Sequence, residues 1–314
     1  MKKAKLLSYE GLLGILNNHD TKDKFDSPGY VPEGTELKKA LTRAINPKSL
    51  TKQAVLGIDV YRYSQFDPLP QSLVPFVLRL LYSEVCLHSR ALCPYLFHDA
   101  DEGELRERFI DTGDGGFQLL DTPVHALVFA LQFETMLRIF NSFRFYPRLR
   151  KLFDTDLTVR YAITYDRVFT FEHNYYGPSI INNSRIIGRD KLNRCLIDQG
   201  TFDWFTRNTG GVENLGAIGL QDLQRLPDFE GDDASLAAEK EQTFPLEGGF
   251  ELVSPWKDID VLKIDDISVK NKHLPVYSLH VHFMSSWMDE KDNTKSGTFT
   301  VTLGNLNTSG IADP

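Results

Sequence analysis

The sequence is poor in the features that mark disulfide-bonded proteins and proteins that coat nucleic acid. Only three of its 314 residues are cysteine, at positions 86, 93 and 195, an odd number without the spacing of a metal site. This pattern predicts buried free thiols in a reducing compartment. The net charge of -8 is the opposite of the basic excess found in proteins that coat nucleic acid. We therefore expect no nucleic-acid partner.

Long hydrophobic runs and targeting signals are also missing. The two most apolar windows, 73–81 and 124–139, are each interrupted by charged residues, so they predict amphipathic helices and not membrane spans. The apolar stretch near the N-terminus is broken by polar residues at positions 9 and 10 and has no small-residue cleavage site. We therefore predict a cytoplasmic protein with no signal peptide and no membrane partner.

The composition changes along the chain predict four segments. Residues 1–50 are polar and mixed and form an N-terminal extension that is rich in loops. Residues 51–225 contain strands and helices in alternation. Residues 226–249 are acidic and poor in large apolar side chains, which is typical of a solvated linker. Residues 250–314 alternate apolar and polar side chains at period two, which predicts a small antiparallel β module.

The order of predicted elements within 51–225 is strand, helix, hairpin, helix, hairpin, helix. This order is typical of an α+β domain with helices packed on one face of a sheet. The predicted strands are 54–60, the hairpin 107–120, and 157–164 with a hairpin partner at 167–171. The predicted helices are 73–85, 123–143 and 178–187, of which the second begins at a threonine cap followed by proline.

Two carboxylates lie among three glycines in the stretch 109–117, FIDTGDGGF. A hairpin tip needs glycine because glycine reaches positive φ without steric cost, and Asp111 is expected to support the turn. Aspartate is a common turn residue, so a solvated turn is the alternative for Asp114 as well. However, Asp59 ends the buried strand 54–60, and a buried carboxylate is costly unless it is paired or metal-bound. If the strands are neighbours, Asp59 and Asp114 form a site for hard divalent cations.

Two further stretches carry groups that bind phosphate. The turn 60–65 leads from a strand into a helix, so its backbone N–H groups can hold phosphate oxygens. The stretch 176–186, YGPSIINNSRI, places a glycine, amides and an arginine on the first turns of a helix, and these groups suit a pentavalent phosphorus. Phosphoryl transfer commonly uses two metal ions.

Together these stretches resemble the catalytic domain of class III nucleotide cyclases. That family has roughly D-[IV]-x-x-[FY]-[ST] at its first strand, G-D-G-[FY] at a hairpin, and G-x-x-[VI]-N-x-[AS]-x-R on a late helix. Here the corresponding stretches are 59–64 (DVYRYS), 113–117 (GDGGF) and 177–185 (GPSIINNSR). Their order and spacing fit over residues 50–210. The resemblance implies a ferredoxin-like βαββαβ core.

The resemblance also implies roles for individual residues. Asp59, Asp114 and the backbone of Val60 would bind two Mg²⁺ or Mn²⁺ ions, and Arg185 would steady the transition state. The residues implied to contact substrate are Tyr63, Ser64, Phe117 and Asn174. The 3′-hydroxyl of a nucleoside triphosphate would attack its own α-phosphate and expel pyrophosphate. Family members are head-to-tail dimers whose sites combine metals from one subunit with arginine from the other, so a homodimer is expected.

Three positions depart from the family pattern. In cyclases that use ATP, a lysine four residues before the second metal aspartate reads the purine, and here that position is Ile110. The second purine reader, usually aspartate, is replaced by Asn174. The family asparagine, four residues before the arginine, is replaced by Ile181, and the adjacent Asn182 and Asn183 are both candidates for its role.

These departures resemble the pyrimidine cyclases of Pycsar antiphage systems, which make cyclic UMP or cyclic CMP as a second messenger for a separate effector protein. The resemblance implies UTP or CTP as substrate, with UTP favoured. Tyr63 is the candidate to contact the base, because an aromatic face can stack on a pyrimidine. The alternatives are a purine cyclase with an atypical base pocket and a catalytically silent nucleotide-sensing module.

Two histidines on a predicted C-terminal strand raise the hypothesis of a second metal site. His280 and His282 alternate onto one face of a predicted strand, a spacing that can bind metal. The sequence offers no further obvious ligand near them, so we expect packed or exposed histidines.

Overall fold

The structure is a computed structural model. It describes residues 3–20, 33–97, 102–216, 250–251, 256–269, 272–289, 292–305, 307 and 309–311. The acidic linker predicted at 226–249 lies outside the described residues. The strands, in chain order, are β1 (Lys5–Leu7), β2 (Lys52–Val60), β3 (Phe109–Asp111), β4 (Gly115–Leu120), β5 (Val159–Arg167), β6 (Phe169–Phe171), β7 (Asn174–Tyr176), β8 (Cys195–Asp198), β9 (Phe250–Glu251), β10 (Trp256–Val269), β11 (Lys272–Asp289) and β12 (Asp292–Leu303).

The helices connect these strands and cover the sheet they form. They are α1 (Tyr9–His19), α2 (Thr35–Ile45), α3 (Pro68–Leu92), α4 (Pro94–Phe97), α5 (Glu102–Glu107), α6 (Pro123–Asn141), α7 (Pro147–Arg150), α8 (Pro178–Arg189) and α9 (Gln199–Thr209). The order β2, α3, β3, β4, α6, β5 is the βαββαβ order expected from the sequence, and the predicted α+β class is confirmed.

One sheet runs through the central segment and into the C-terminal strands. Its order is β10-β11-β8-β5-β2-β4-β3, and both β12 and β9 also pair with β11. β2 is the buried central strand that its apolar run predicts, because it pairs with β4 on one side and β5 on the other. The predicted antiparallel pairing of the C-terminal strands is confirmed for β10, β11 and β12. Residues 276–279 of β11 pair with β8 and make the sheet continuous.

The main hydrophobic core lies between one face of this sheet and helices α3, α6 and α9. Apolar residues of all three helices are buried there with alternate residues of β2 and β5. Helix α8 takes the opposite face, where its Ile186 and Ile187 pack against Ala162. Gly57 of β2 leaves room for this helix, since a Cβ at that position would overlap Asn183 and Ile187. The expectation of helices on one face therefore holds for α3, α6 and α9, with α8 as the exception.

The N-terminal extension is more ordered than its polar composition suggests. Helix α1 begins after Ser8, whose Oγ accepts a hydrogen bond from the Gly11 N–H at 3.2 Å. β1 pairs with β6, and β6 pairs with β7, to form a second, three-stranded sheet. The prediction that 167–171 forms a hairpin with β5 was wrong. β5 pairs with β2 along its whole length and with β8 at residues 161–163 of its other edge, and β6 pairs instead with β1 and β7.

The cysteines and the helix lengths agree with the expectations from composition. Cys86, Cys93 and Cys195 are all buried and free, as predicted. Along the described part of the chain, every helix is too short or too polar to cross a membrane.

Candidate active site

Asp59 is the centre of the candidate site, and strand alternation determines where it points. Its neighbours Ile58 and Val60 belong to the main core, so the Asp59 side chain points to the opposite face of the sheet. Arg160 is its register partner on β5. The Arg160 Nε donates to Asp59 Oδ2 at 2.6 Å, and both side chains are about four-fifths buried.

The β3–β4 hairpin brings Asp114 to the end of β2. The Val60 N–H donates to the Asp114 carbonyl at 3.0 Å, so the hairpin tip is held against the end of the central strand. Asp111 Oδ1 accepts the Gly113 N–H at 2.7 Å, which forms an Asx turn. Asp111 therefore supports the tip, in the structural role expected for it.

The charges around Asp59 oppose one another. Burial raises the pKa of Asp59 above its ordinary value; the hydrogen bond and the charge of Arg160 lower it, and the charge of Asp114 raises it. Two neighbouring carboxylates of like charge attract a cation. Within the chain, this cation is the guanidinium of Arg160.

A divalent cation fits this set of donors. The available ligands are the carboxylates of Asp59 and Asp114 and the carbonyl of Val60, all of them oxygens, which is the donor type that Mg²⁺ and Mn²⁺ prefer. In the described ranges, this site included, no three His, Cys, Asp or Glu side chains converge on a metal position, so the protein side chains here supply two carboxylates. A metal here would therefore complete its coordination with water or substrate oxygens.

The segment after β2 forms a tight turn before α3. Arg62 has a left-handed backbone, with φ of 58°, and residues 63–65 form one turn of 3₁₀ helix. Among the described residues, the N–H groups of positions 62 to 64 have no backbone acceptor and are available to an anion. Ser64 is exposed. Tyr63 is half-buried against the main core, so part of its ring is used in packing.

Helix α8 carries Arg185 and distinguishes the two candidate asparagines. Arg185 is partly exposed, and within the described part of the chain it has no hydrogen-bond or ion-pair partner. Asn183 is fully buried, and its Nδ2 donates to the carbonyls of Val55 at 2.7 Å and Ala162 at 2.9 Å. Its amide therefore ties α8 to the sheet. Asn182 lies three residues before Arg185, on the same side of the helix, and is partly exposed.

Ile110, at the position of the first purine reader, lies on the same face of the sheet as α8. Ile110, Phe117 and Tyr175 pack in a small cluster that also includes Ile180 of α8. Asn174 precedes Tyr175 and is exposed. The chain therefore brings these positions next to the helix of Arg185. Arg185 contacts neither Asp59 nor Asp114 of the same chain.

Sequence reasoning missed Arg160 and Tyr61 as parts of this site. Tyr61 donates from its hydroxyl to the Lys191 carbonyl at 3.0 Å. The sequence signal for Arg160 was its charge, which stands out within the apolar run of β5. Its meaning depends on the β2–β5 register, which the sequence does not display.

The histidine pair lies away from these residues, on the C-terminal strands. His280 is buried, and its ring centroid lies 4.5 Å from that of His282. The Nδ1 of His282 lies 3.7 Å from a carboxylate oxygen of Asp258 on the neighbouring strand.

Comparisons with known proteins find similarity only at the level of structure. No family model matches the sequence, and no curated protein matches it. The adenylyl cyclase CyaB from P. aeruginosa is 11% identical, with 73% of this chain and 93% of that chain covered and a TM-score of 0.42. The guanylate cyclase domain of RhGC from Catenaria anguillulae, in complex with GTP, is 13% identical, with 73% and 96% covered and a TM-score of 0.40.

Proposed function

We propose that this protein is a nucleotide cyclase that converts a nucleoside triphosphate into a 3′,5′-cyclic nucleotide and pyrophosphate. The observation that carries the proposal is the hydrogen bond from the Val60 N–H to the Asp114 carbonyl, which holds the hairpin tip at the end of β2 next to Asp59. Beside them lies a turn with unused backbone N–H groups at 62 to 64.

The chain supplies the groups that the reaction needs. Asp59 and Asp114 would hold Mg²⁺ or Mn²⁺, which when bound activates the attacking hydroxyl and neutralises phosphate charge. The N–H groups of 62 to 64 would bind triphosphate oxygens. Arg160 is the cation nearest to Asp59 and adds positive charge where the triphosphate would bind. In this proposal the bond from the 3′-oxygen to the α-phosphorus forms as the bond to pyrophosphate breaks.

The transition-state groups would come from a second copy of the chain. Arg185 is partly exposed, has no partner within the described residues, and does not contact the carboxylates of its own chain. Arg185 and Asn182 of the second copy would therefore steady the charge that develops on phosphorus. The base would lie near Ile110, Asn174 and Phe117 of that same copy. We propose a homodimer with two shared sites.

We further propose that the substrate is a pyrimidine nucleotide, with UTP favoured over CTP. Ile110 packs in an apolar cluster and has no side-chain donor or acceptor for a purine. In this reading the protein is a cytoplasmic enzyme of antiphage defence whose cyclic UMP or cyclic CMP is read by a separate effector protein. A purine cyclase with an atypical base pocket is the alternative substrate assignment.

A catalytically silent nucleotide sensor is the alternative class of function. The observation that favours it is the ion pair between Arg160 and Asp59, which already neutralises one carboxylate without a metal.

Product analysis tests these proposals. Purified protein is incubated with Mn²⁺ and with ATP, GTP, CTP or UTP separately, and the products are identified by mass. Cyclic UMP or cyclic CMP alone supports a pyrimidine cyclase, whereas cyclic AMP or cyclic GMP favours the purine alternative. Nucleotide binding without any cyclic product, with the D59N variant as the matched control, favours the silent sensor.

A further inference from the structure

The loop after α8 connects the candidate metal site to the end of the chain. This loop, residues 190–194, begins at the buried Asp190, which ends α8. A guanidinium nitrogen of Arg160 donates to the Asp190 backbone carbonyl, while the Arg160 Nε holds Asp59 at 2.6 Å. The position of the Asp190 carbonyl therefore determines where the Arg160 guanidinium lies.

Arg194 holds the loop in this position from inside the protein. Its side chain is 1% exposed, and its Nε and Nη2 donate to Asp190 Oδ1 at 2.9 and 2.7 Å. The loop is also held at Lys191, whose carbonyl accepts the hydroxyl of Tyr61. Two residues that adjoin the carboxylate site, Arg160 and Tyr61, are thus bound to the backbone of one loop.

The C-terminal residues supply an acceptor for the third guanidinium nitrogen of Arg194. Its Nη1 donates to the carbonyl of Ser309 at 2.6 Å. Asn305 Nδ2 donates to the Asn193 carbonyl at 3.1 Å, which ties the same segment to the loop a second time. Ile311 is buried, and its N–H donates to Asp265 at 2.7 Å, which fastens the segment to β10. We refer to residues 304, 305, 307 and 309–311 as the C-terminal strap.

We infer that Arg194 is a positioning residue for Arg160 and that the C-terminal strap is needed to hold it. A buried arginine is costly unless its donors are satisfied, so loss of the strap contacts releases the loop. The Asp190 carbonyl then no longer orients Arg160, and the ion pair between Arg160 and Asp59 weakens. This inference rests on the proposed function, because it treats Asp59 as a metal ligand.

As a consequence, the C-terminal strap influences a competition between Arg160 and a divalent cation for Asp59. The guanidinium of Arg160 and a divalent cation require the same carboxylate. A guanidinium oriented in advance binds a carboxylate more tightly than a freely moving one. The intact strap therefore favours Arg160 on Asp59, and a loosened strap favours the metal.

The first test uses the full chain without metal or nucleotide. The Nε–H signal of Arg160 is followed by NMR in protein labelled with ¹⁵N-arginine, and the R160K variant assigns it. We expect N305A and R194K to speed its exchange with water by about threefold to tenfold. The control K263A breaks an exposed ion pair on β10 and should leave the exchange unchanged. An Arg160 signal that is unaffected by both N305A and R194K while circular dichroism shows a native fold would overturn the inference.

The second test is a double-mutant cycle on Mn²⁺ affinity. We expect N305A to lower the Mn²⁺ dissociation constant by about threefold to tenfold in the parent protein and to have no effect in R160A. An equal effect in both backgrounds would show that the strap does not act through Arg160. These readouts are independent of turnover: an inactive protein that shows the Arg160 effects refutes only the cyclase proposal, and an active one without them refutes only the strap.

Discussion

At the scale of single residues, the hairpin 109–117 contains two aspartates with different surroundings. Asp111 is exposed and accepts a hydrogen bond from the turn it belongs to. Asp114 lies at the tip that is held against the end of β2 and influences the titration of Asp59. Because the two share one hairpin, the same substitution at each position separates metal binding from turn formation.

We therefore expect D114N to weaken Mn²⁺ binding and cyclic nucleotide formation by about 100-fold or more, since it removes one of two carboxylate ligands. D111N is the matched control and should change both by less than about threefold, with a loss of roughly 1 kcal/mol in stability. Isothermal titration with Mn²⁺ and product assays provide the readouts. Equal losses for the two variants would remove Asp114 from the metal site.

The surroundings of Glu134 lead to a prediction about how the free energy of unfolding depends on pH. Glu134 lies on α6 and accepts a hydrogen bond from the Tyr161 hydroxyl at 2.9 Å. Burial raises the pKa of Glu134 to about 7 from an ordinary 4.5, although the Tyr161 hydrogen bond and the charge of Arg138 act in the opposite direction. The folded protein therefore binds this proton more tightly than the unfolded chain.

The free energy of unfolding should fall as the pH rises from about 4.5 to about 7 and should then level off. Glu134 accounts for at most about 3 kcal/mol of this fall. E134Q should remove that loss and be more stable than the parent at pH 8. Urea unfolding at pH 5 and pH 8 measures the difference. Asp198, whose pKa burial raises to about 6, contributes a smaller decline that remains in the variant. An identical pH dependence in E134Q and parent would contradict the assignment.

At the scale of elements, the packing of α8 on the sheet positions Arg185. The helix can approach the sheet because Gly57 has no side chain, and Asn183 hydrogen-bonds to strand carbonyls at this contact. Gly188 lies on the same helix with open space around it. These two glycines therefore differ in what a methyl group would meet.

We expect G57A to lower the free energy of unfolding by about 1–3 kcal/mol and to reduce cyclic nucleotide formation, because overpacking shifts α8 and with it Arg185. G188A adds the same methyl group in open space and should be neutral or stabilising by up to about 1 kcal/mol. Urea unfolding of the two variants is the measurement. A G57A protein as stable as G188A would show that the contact relaxes without cost.

At the scale of the whole molecule, the C-terminal strands share the core of the central segment. β11 hydrogen-bonds to β8, and Leu279, Val281 and Phe283 are buried in the main core. The sequence pattern predicted a small antiparallel β module at 250–314, distinct from the central segment. The continuous sheet leads us to expect instead that deleting residues 250–314 abolishes cooperative folding, since it exposes the edge of β8. Circular dichroism and thermal unfolding of the deleted chain test this expectation.

The proposed dimer makes a quantitative prediction at the same scale. D59A and R185A should each be inactive alone. Mixed in equal amounts and allowed to exchange subunits, they should recover about one quarter of wild-type activity, because about half of the dimers are mixed and each has one intact site of two. Activity of R185A alone close to wild type would show that the arginine is not needed. No recovery in mixed dimers that are shown to form would contradict sites shared between subunits.

The elements that could be predicted from the sequence are those whose signals are local. The buried run of β2, the glycine-rich hairpin and the Thr122-Pro123 start of α6 were readable because side-chain period, turn chemistry and capping act over a few residues. The three motifs and their order came from the same local information. β8 was missed because it has only four residues, and α9 because only three of its eleven residues are large and apolar. α1 and α2 were missed because their segment is polar.

Contacts between distant segments could not be predicted from the sequence and are visible in the fold. The pairing of Asp59 with Arg160 follows from the β2–β5 register, and the link from Arg194 to Ser309 spans 115 residues of sequence. The placement of β6 between β1 and β7 is likewise encoded by no local pattern. The burial of Asn183 and not Asn182 depends on how α8 is rotated against the sheet. Such contacts depend on the packing of whole elements, since hydrogen bonding and burial are satisfied across the fold and not within a stretch of sequence.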